Sequence, residues 1–165
     1  MIQRIQSLWL VLASLAMFLL FFFPVATFVP NTELANAHAV DFKFFAFGLD
    51  YADAFSITLG ELYAPLLKYT IIAVVLVCIL TPFISVFLYR NRARQIQLSR
   101  LTMLLDAALT VAFFLLSDLF AKPNGSLVSY GVGVFVPLAA LVFLLLAIRS
   151  IKKDDKLVRS ADRIR

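Results

Sequence analysis

The chain is poor in the residues that build reactive centres. It holds one cysteine and one histidine in 165 residues. A single cysteine cannot close an internal disulfide, and Cys78 with His38 cannot complete a zinc site or a bis-histidine haem site. There is no glycine-rich phosphate loop. A Ser-His-Asp set would need the loop around His38 to fold over a nucleophile, and Cys78 lies inside an apolar run. Charge is scarce as well, at 15% of residues, against about 25% in a soluble domain. With 62% apolar residues and 17 phenylalanines, the composition excludes an ordinary soluble globule and a disordered tail. No cofactor, metal or enzymatic activity is expected.

What is present is long apolar sequence. Four blocks stand out, at 8–29, 69–89, 101–120 and 127–148. The third contains Asp106 and Asp118, and the others carry no charge. A helix needs roughly 20 residues, at about 1.5 Å each, to cross a hydrocarbon layer of about 30 Å. Buried strands of about 4–8 residues are too short to account for the blocks. Unpaired backbone is not tolerated in lipid, so each block reads as a spanning helix. The first block exceeds the roughly 7–15 apolar residues of a signal peptide. The small-residue triplet Ala35-Asn36-Ala37 lies beyond its end, so an uncleaved first span is expected.

Charge placement sets the orientation. Twelve of the 15 basic residues fall before the first block, between blocks two and three, or after block four. Lys43, Lys68 and Lys122 lie on the other side. The positive-inside rule then puts both termini in the cytoplasm. The reading is a single all-α membrane domain, 1–165: a four-transmembrane-helix bundle with an extracytoplasmic loop 30–68, a cytoplasmic loop 90–100 and a cytoplasmic tail 149–165. The basic residues hug span ends, which points to contact with anionic lipid and not to nucleic acid.

Within the loop 30–68, two stretches alternate apolar and polar residues, around 40–47 and 54–59, with Gly48, Asp50 and Asp53 between them. This predicts a small β-hairpin, with Phe42, Phe44 and Phe55 on a face that packs on helix ends or serves a partner. The acids there lack the spacing of a calcium loop, and His38 reads as a solvated loop residue. Pro123-Asn124-Gly125 predicts a tight turn that makes spans three and four antiparallel neighbours. In the tail, Leu157, Ala161 and Ile164 recur at helical spacing beside an Asp155–Arg159 pair, which predicts a short helix on the cytoplasmic surface.

Asp106 is the costly residue. A carboxylate at mid-bilayer costs about 2.5–3.5 kcal/mol on insertion scales. Thr102, Asp106, Thr110 and Ser117 share a helical face, which should point into the bundle. Asp106 is expected to be protonated, to bond a Ser or Thr, or to pair with Arg100 or Arg4. The alternatives are a structural polar clasp between helices and a proton or cation relay. Thr81 or Ser85 of block two could meet this face, and Pro82 should kink that helix. Gly131 and Gly133, with Ser129, suit close helix approach. Asp106 and Asp118 are too far apart, about 18 Å along one helix, to share a proton.

The first ten residues, from Met1-Ile2-Gln3-Arg4 to Trp9-Leu10, and the last twelve, Asp154-Asp155-Lys156-Leu157-Val158-Arg159 to Arg165, resemble the termini of a small Bacteroidetes membrane-protein family. That family is catalogued only as a domain of unknown function with four spans. The resemblance implies a bacterial inner-membrane location and supplies no catalytic residue. It also implies that Gln3, Arg4, Arg159 and Arg163 do more than orient the chain, as a cytoplasmic docking patch. The layout is also similar to that of claudins, without their paired loop cysteines or Trp-rich signature, and this likeness is architectural only. The expected role is a structural or accessory subunit that packs against other membrane proteins or itself. The alternative is a small transporter or channel component using Asp106.

Overall fold

A computed structural model describes residues 3–30, 42–46, 48–50, 63–89, 91–124 and 126–162. Four helices dominate it: α1 (Gln3–Leu19), α2 (Tyr63–Phe87), α3 (Arg92–Asn124) and α4 (Phe135–Asp162). Four short strands join them: β1 (Ala26–Pro30), β2 (Phe42–Phe45), β3 (Gly48–Asp50) and β4 (Ser126–Tyr130). Helix α1 packs against α2 and α4, and α3 packs against the same two, so α1 and α3 occupy one diagonal of a four-helix bundle.

Three apolar helical stretches are long enough to cross a membrane: Leu66–Phe87, Arg92–Leu119 and Val132–Val158. The first helix is shorter than its 22-residue block. It ends at Leu19, where the N–H groups of Leu20, Phe21 and Phe22 turn back to carbonyls three residues earlier. Such tightened turns satisfy a helix's last carbonyls. Pro24 then prevents any return to helix.

The sheet corrects the expectation that blocks one and four are helical throughout. Their outer ends are β1 and β4, paired antiparallel from Ala26↔Tyr130 to Pro30↔Ser126. The strand order is β3-β2-β1-β4. Helix is one way to pair every backbone group in an apolar run; two such runs pairing with each other is another. The expected first strand of the hairpin is present as β2, but its described partner strand is β3, so Gly48 and Asp50 are strand residues and not the turn. The expected strand at 54–59 and residue His38 lie outside the described residues.

Gly131 and Gly133 do serve close approach, though to the chain at Pro24 and not between spanning helices, Gly131 from extended backbone and Gly133 from the single 3-10 turn Val132–Val134. A Cβ on Gly131 would collide with the Pro24 carbonyl oxygen, and one on Gly133 would come within 2.6 Å of it. Their N–H groups bond the carbonyls of Val25 and Pro24 at 2.9 and 3.0 Å. Only glycine lets the two chains approach so closely.

Two helix boundaries also differ from expectation. The loop 90–100 is nearly all helix. The Asn91 side-chain oxygen accepts the Arg94 N–H at 3.2 Å, a cap that starts α3 at once. The tail helix is not separate either, since α4 runs unbroken to Asp162. Its Ile148, Ile151 and Asp154 stay buried on one face, and no Gly or Pro interrupts it after Pro137. Helix α2 continues through Pro82 without a break.

Packing falls into two zones along the bundle. Beneath the sheet, Phe28 and Phe44 project from one sheet face into a core with Met17, Leu20, Val75 and Phe113. Phe44 meets Phe113 edge-on, with ring centres 5.9 Å apart. Toward the chain termini the apolar core thins to a small cluster of Leu10, Ala13, Leu144 and Ala147, with Trp9 stacked on Phe143.

Candidate functional site

Alongside this apolar packing runs a buried polar set. On α3, Gln95, Ser99, Thr102, Asp106, Thr110 and Ser117 are all buried. Their steps of four, three, four, four and seven residues keep them on one face of a helix with 3.6 residues per turn. The three expected site residues, Thr102, Asp106 and Thr110, therefore do line up, and the face does point inward. Gln6 and Ser14 of α1, Ser85 of α2 and Asp154 of α4 join this buried polar set.

The hydrogen bonds differ from those expected. The Thr102 hydroxyl donates to the Leu98 carbonyl at 3.0 Å, Thr110 to the main-chain carbonyl of Asp106 at 2.9 Å, and Ser117 to that of Phe113 at 2.7 Å. Each hydroxyl proton is thus spent on its own helix, a common use of Ser and Thr there. Neither Thr102 nor Thr110 donates to the Asp106 carboxyl group. Arg100 is exposed, and the Asp106 oxygens have no hydrogen-bond partner among the described residues. The expected Ser, Thr or Arg100 partner is therefore not made. Arg4's side chain lies outside the described ones.

Ser85 and Thr81 are also engaged elsewhere. Thr81 donates to the Val77 carbonyl of its own helix. Ser85 and Gln95 bond each other's main chain, with the Gln95 amide donating to the Ser85 carbonyl at 3.0 Å and the Ser85 hydroxyl reaching the Gln95 carbonyl at 3.5 Å. They tie α2 to α3 beside the connecting turn. Ser14 ties α1 to α2 through the Ile79 carbonyl at 2.8 Å. From α2 it is Cys78, fully buried, that lies within electrostatic reach of Asp106.

Arg92 and Asp154 form an ion pair at 3.2 Å, joining the start of α3 to the extension of α4. Arg92 also donates to the Asp154 carbonyl at 3.3 Å. Neither residue stood out in the sequence, where Arg92 was one of many basic residues. The signal was the step of three from Ile148 to Ile151 to Asp154, which places an acid on a buried face.

The proposed docking residues are only partly described. Arg4 and Arg159 belong to α1 and α4, but their side chains lie outside the described ones, as does any Asp155–Arg159 pair, and Arg163 lies outside the described residues altogether. Asp118 is exposed. Among the described residues, no group of three or more His, Cys, Asp or Glu side chains could hold a metal ion.

A protein-family model described as Domain of unknown function (DUF4293) matches residues 2–164. The chain belongs to that family. No curated protein and no solved structure matches the chain.

Proposed function

We propose that this DUF4293 chain is a non-enzymatic integral membrane protein, a structural or accessory subunit that packs against other membrane proteins or against itself. The observation behind this reading is an inverted distribution of polarity. Asp106, Gln95 and Ser99 are fully buried, while Leu80, Phe83 and Phe87 of α2 and Leu104 and Leu115 of α3 are half-exposed or more. In water this arrangement would be unstable, because apolar area is left wet and polar groups are withdrawn from solvent. In lipid the exposed side chains cost nothing, and interior polar groups link helices.

In this reading all four helices span, with α1 completed by residues 20–25, and both termini lie on the cytoplasmic face of a bacterial inner membrane. The charge asymmetry and the terminal resemblance support that orientation. Anionic lipid is the surface that the basic ends would meet. The chain should stay in the membrane pellet through an alkaline wash. Cysteines placed at Arg94 and Ser160 should be labelled from one side of sealed vesicles, and those at Lys43 and Ser129 from the other. Release by the wash, or labelling of Arg94 and Ser160 from opposite sides, overturns it. The subunit role predicts crosslinks from an outward position such as Leu80 to a neighbouring chain in native membranes; a bare monomer at native abundance contradicts it.

A second reading, a small transporter or channel component, is favoured by the unpartnered Asp106 carboxyl group. It requires that Asp106→Asn abolish ion flux in proteoliposomes while the protein still folds. Equal flux in the variant and the parent removes it.

A further inference from the structure

The buried polar set has more acceptors than donors. Gln6 Oε1, Gln95 Oε1 and both oxygens of Asp106 are buried acceptors with no hydrogen-bond partner among the described residues, and the Ser99 hydroxyl has none either. The nearby hydroxyl protons are already committed, those of Ser14, Thr102 and Thr110 all going to main-chain carbonyls. A buried acceptor without a donor costs about 1–3 kcal/mol, and an isolated buried carboxylate costs far more. Several such atoms in one bundle call for donors beyond the described side chains.

Geometry says where the donors come from. Asn91 is exposed. From it, Gln95, Ser99, Thr102 and Asp106 follow on α3 at steps of four, four, three and four residues. Those steps are about 4.5–6 Å of axial rise, which is the span of one water making two hydrogen bonds of about 2.8 Å each. Beyond Asp106 the face continues with Thr110 and Ser117, but their hydroxyl protons go to carbonyls of their own helix, and buried Leu109 and Phe113, the latter capped by Phe44 of the sheet, close the space beside them. Folded proteins hold about one internal water per 27 residues, each bonding about three polar groups. At that average a chain of 165 residues would hold about six, enough for the track.

We infer that the bundle binds a file of water molecules along Gln95, Ser99 and Thr102, open toward the chain termini and closed toward the sheet, and that through it Asp106 exchanges the proton of a neutral carboxyl group. The groups around the carboxyl favour the neutral form. The titratable side chain that faces it from α2 is Cys78. The inward positions of α1 and α4 nearest it are uncharged, and the Arg92–Asp154 pair lies more than three turns away along α3. No described cation is placed to hold a carboxylate there. This inference is independent of whether the chain is a subunit or a transporter component, since a wet internal acid serves either.

The test is infrared spectroscopy of the full-length protein in lipid. A neutral carboxyl gives a carbonyl band distinct from the carboxylate bands. The parent should show that band, Asp106→Asn should lack it, and transfer to heavy water should shift it as a deuteron replaces the proton. Ser99→Val, which removes one station of the file but leaves the acid in place, should slow the shift about tenfold, the effect of one lost hydrogen bond. If Asp106→Asn does not fold, the parent and Ser99→Val carry the test alone. The absence of a neutral band overturns the inference in favour of a carboxylate with a bound cation. A band that does not shift in heavy water, or that shifts equally fast in Ser99→Val, removes the water file.

Discussion

At the sheet end of the bundle, Phe28, Phe44 and Phe113 fill the centre; at the end bearing the termini, Gln6, Ser85, Gln95 and Ser99 occupy the equivalent positions. One end is held by apolar packing and by backbone pairing between distant segments. The other is held by directed links: Ser85 with Gln95, and Arg92 with Asp154. The contrast shows that a bundle of this kind does not draw its cohesion from one source. Close packing and sheet pairing fix the end that carries the strands. Hydrogen bonds align the helices where their polar face continues inward.

That contrast can be broken by substitution. Phe113→Ala should be the most damaging change, at about 3–5 kcal/mol, seen as a lowered denaturation midpoint in mild detergent. A loss below about 1 kcal/mol would mean that the sheet end is not packed as described. Gly133→Ala should follow at about 1–3 kcal/mol, the cost of forcing a methyl into packed backbone, and should also release the sheet to faster amide exchange. At the polar end, Arg92→Met should cost about 1–2 kcal/mol. The pair is partly solvated, so the loss falls short of the roughly 3–5 kcal/mol of a fully buried pair. Asp154→Asn made in the same chain should then add little, and a double-mutant cycle measures that coupling. Ser99→Ala should change stability least, by under about 0.5 kcal/mol, because its hydroxyl has no partner to lose among the described residues. Cys78 sharpens the comparison chemically: buried in the core beneath the sheet, it should resist maleimide until the bundle opens.

The middle of the molecule was readable from run length alone. Blocks 69–89 and 101–120 lie within α2 and α3 but for two residues at the end of the first, because an apolar run of that length has few other ways to pair its backbone. The polar face of α3 was readable from its steps of four. Ser99 was legible close to the end of that face, but the helical continuation to Gln95 was hidden by assigning 90–100 to a loop, when the Asn91 cap and straight-chain neighbours favour helix at once. The sheet was the hardest part. Ala26 and Tyr130 pair across more than a hundred residues, and an apolar run that will pair with another looks the same in sequence as one that will coil. The extra information lay in Pro24, Gly131 and Gly133, small punctuation in greasy text, whose meaning depends on a partner far along the chain.

The unbroken course of α4 has a mechanical corollary. From Phe135 to Asp162 it is a single shaft of 28 residues, about 42 Å long. One end is latched to α3 through Arg92, and the other is rooted against Pro24 by the glycine contact. Torque applied to the tail would therefore be delivered, with no joint to absorb it, to the strands at the other end of the bundle.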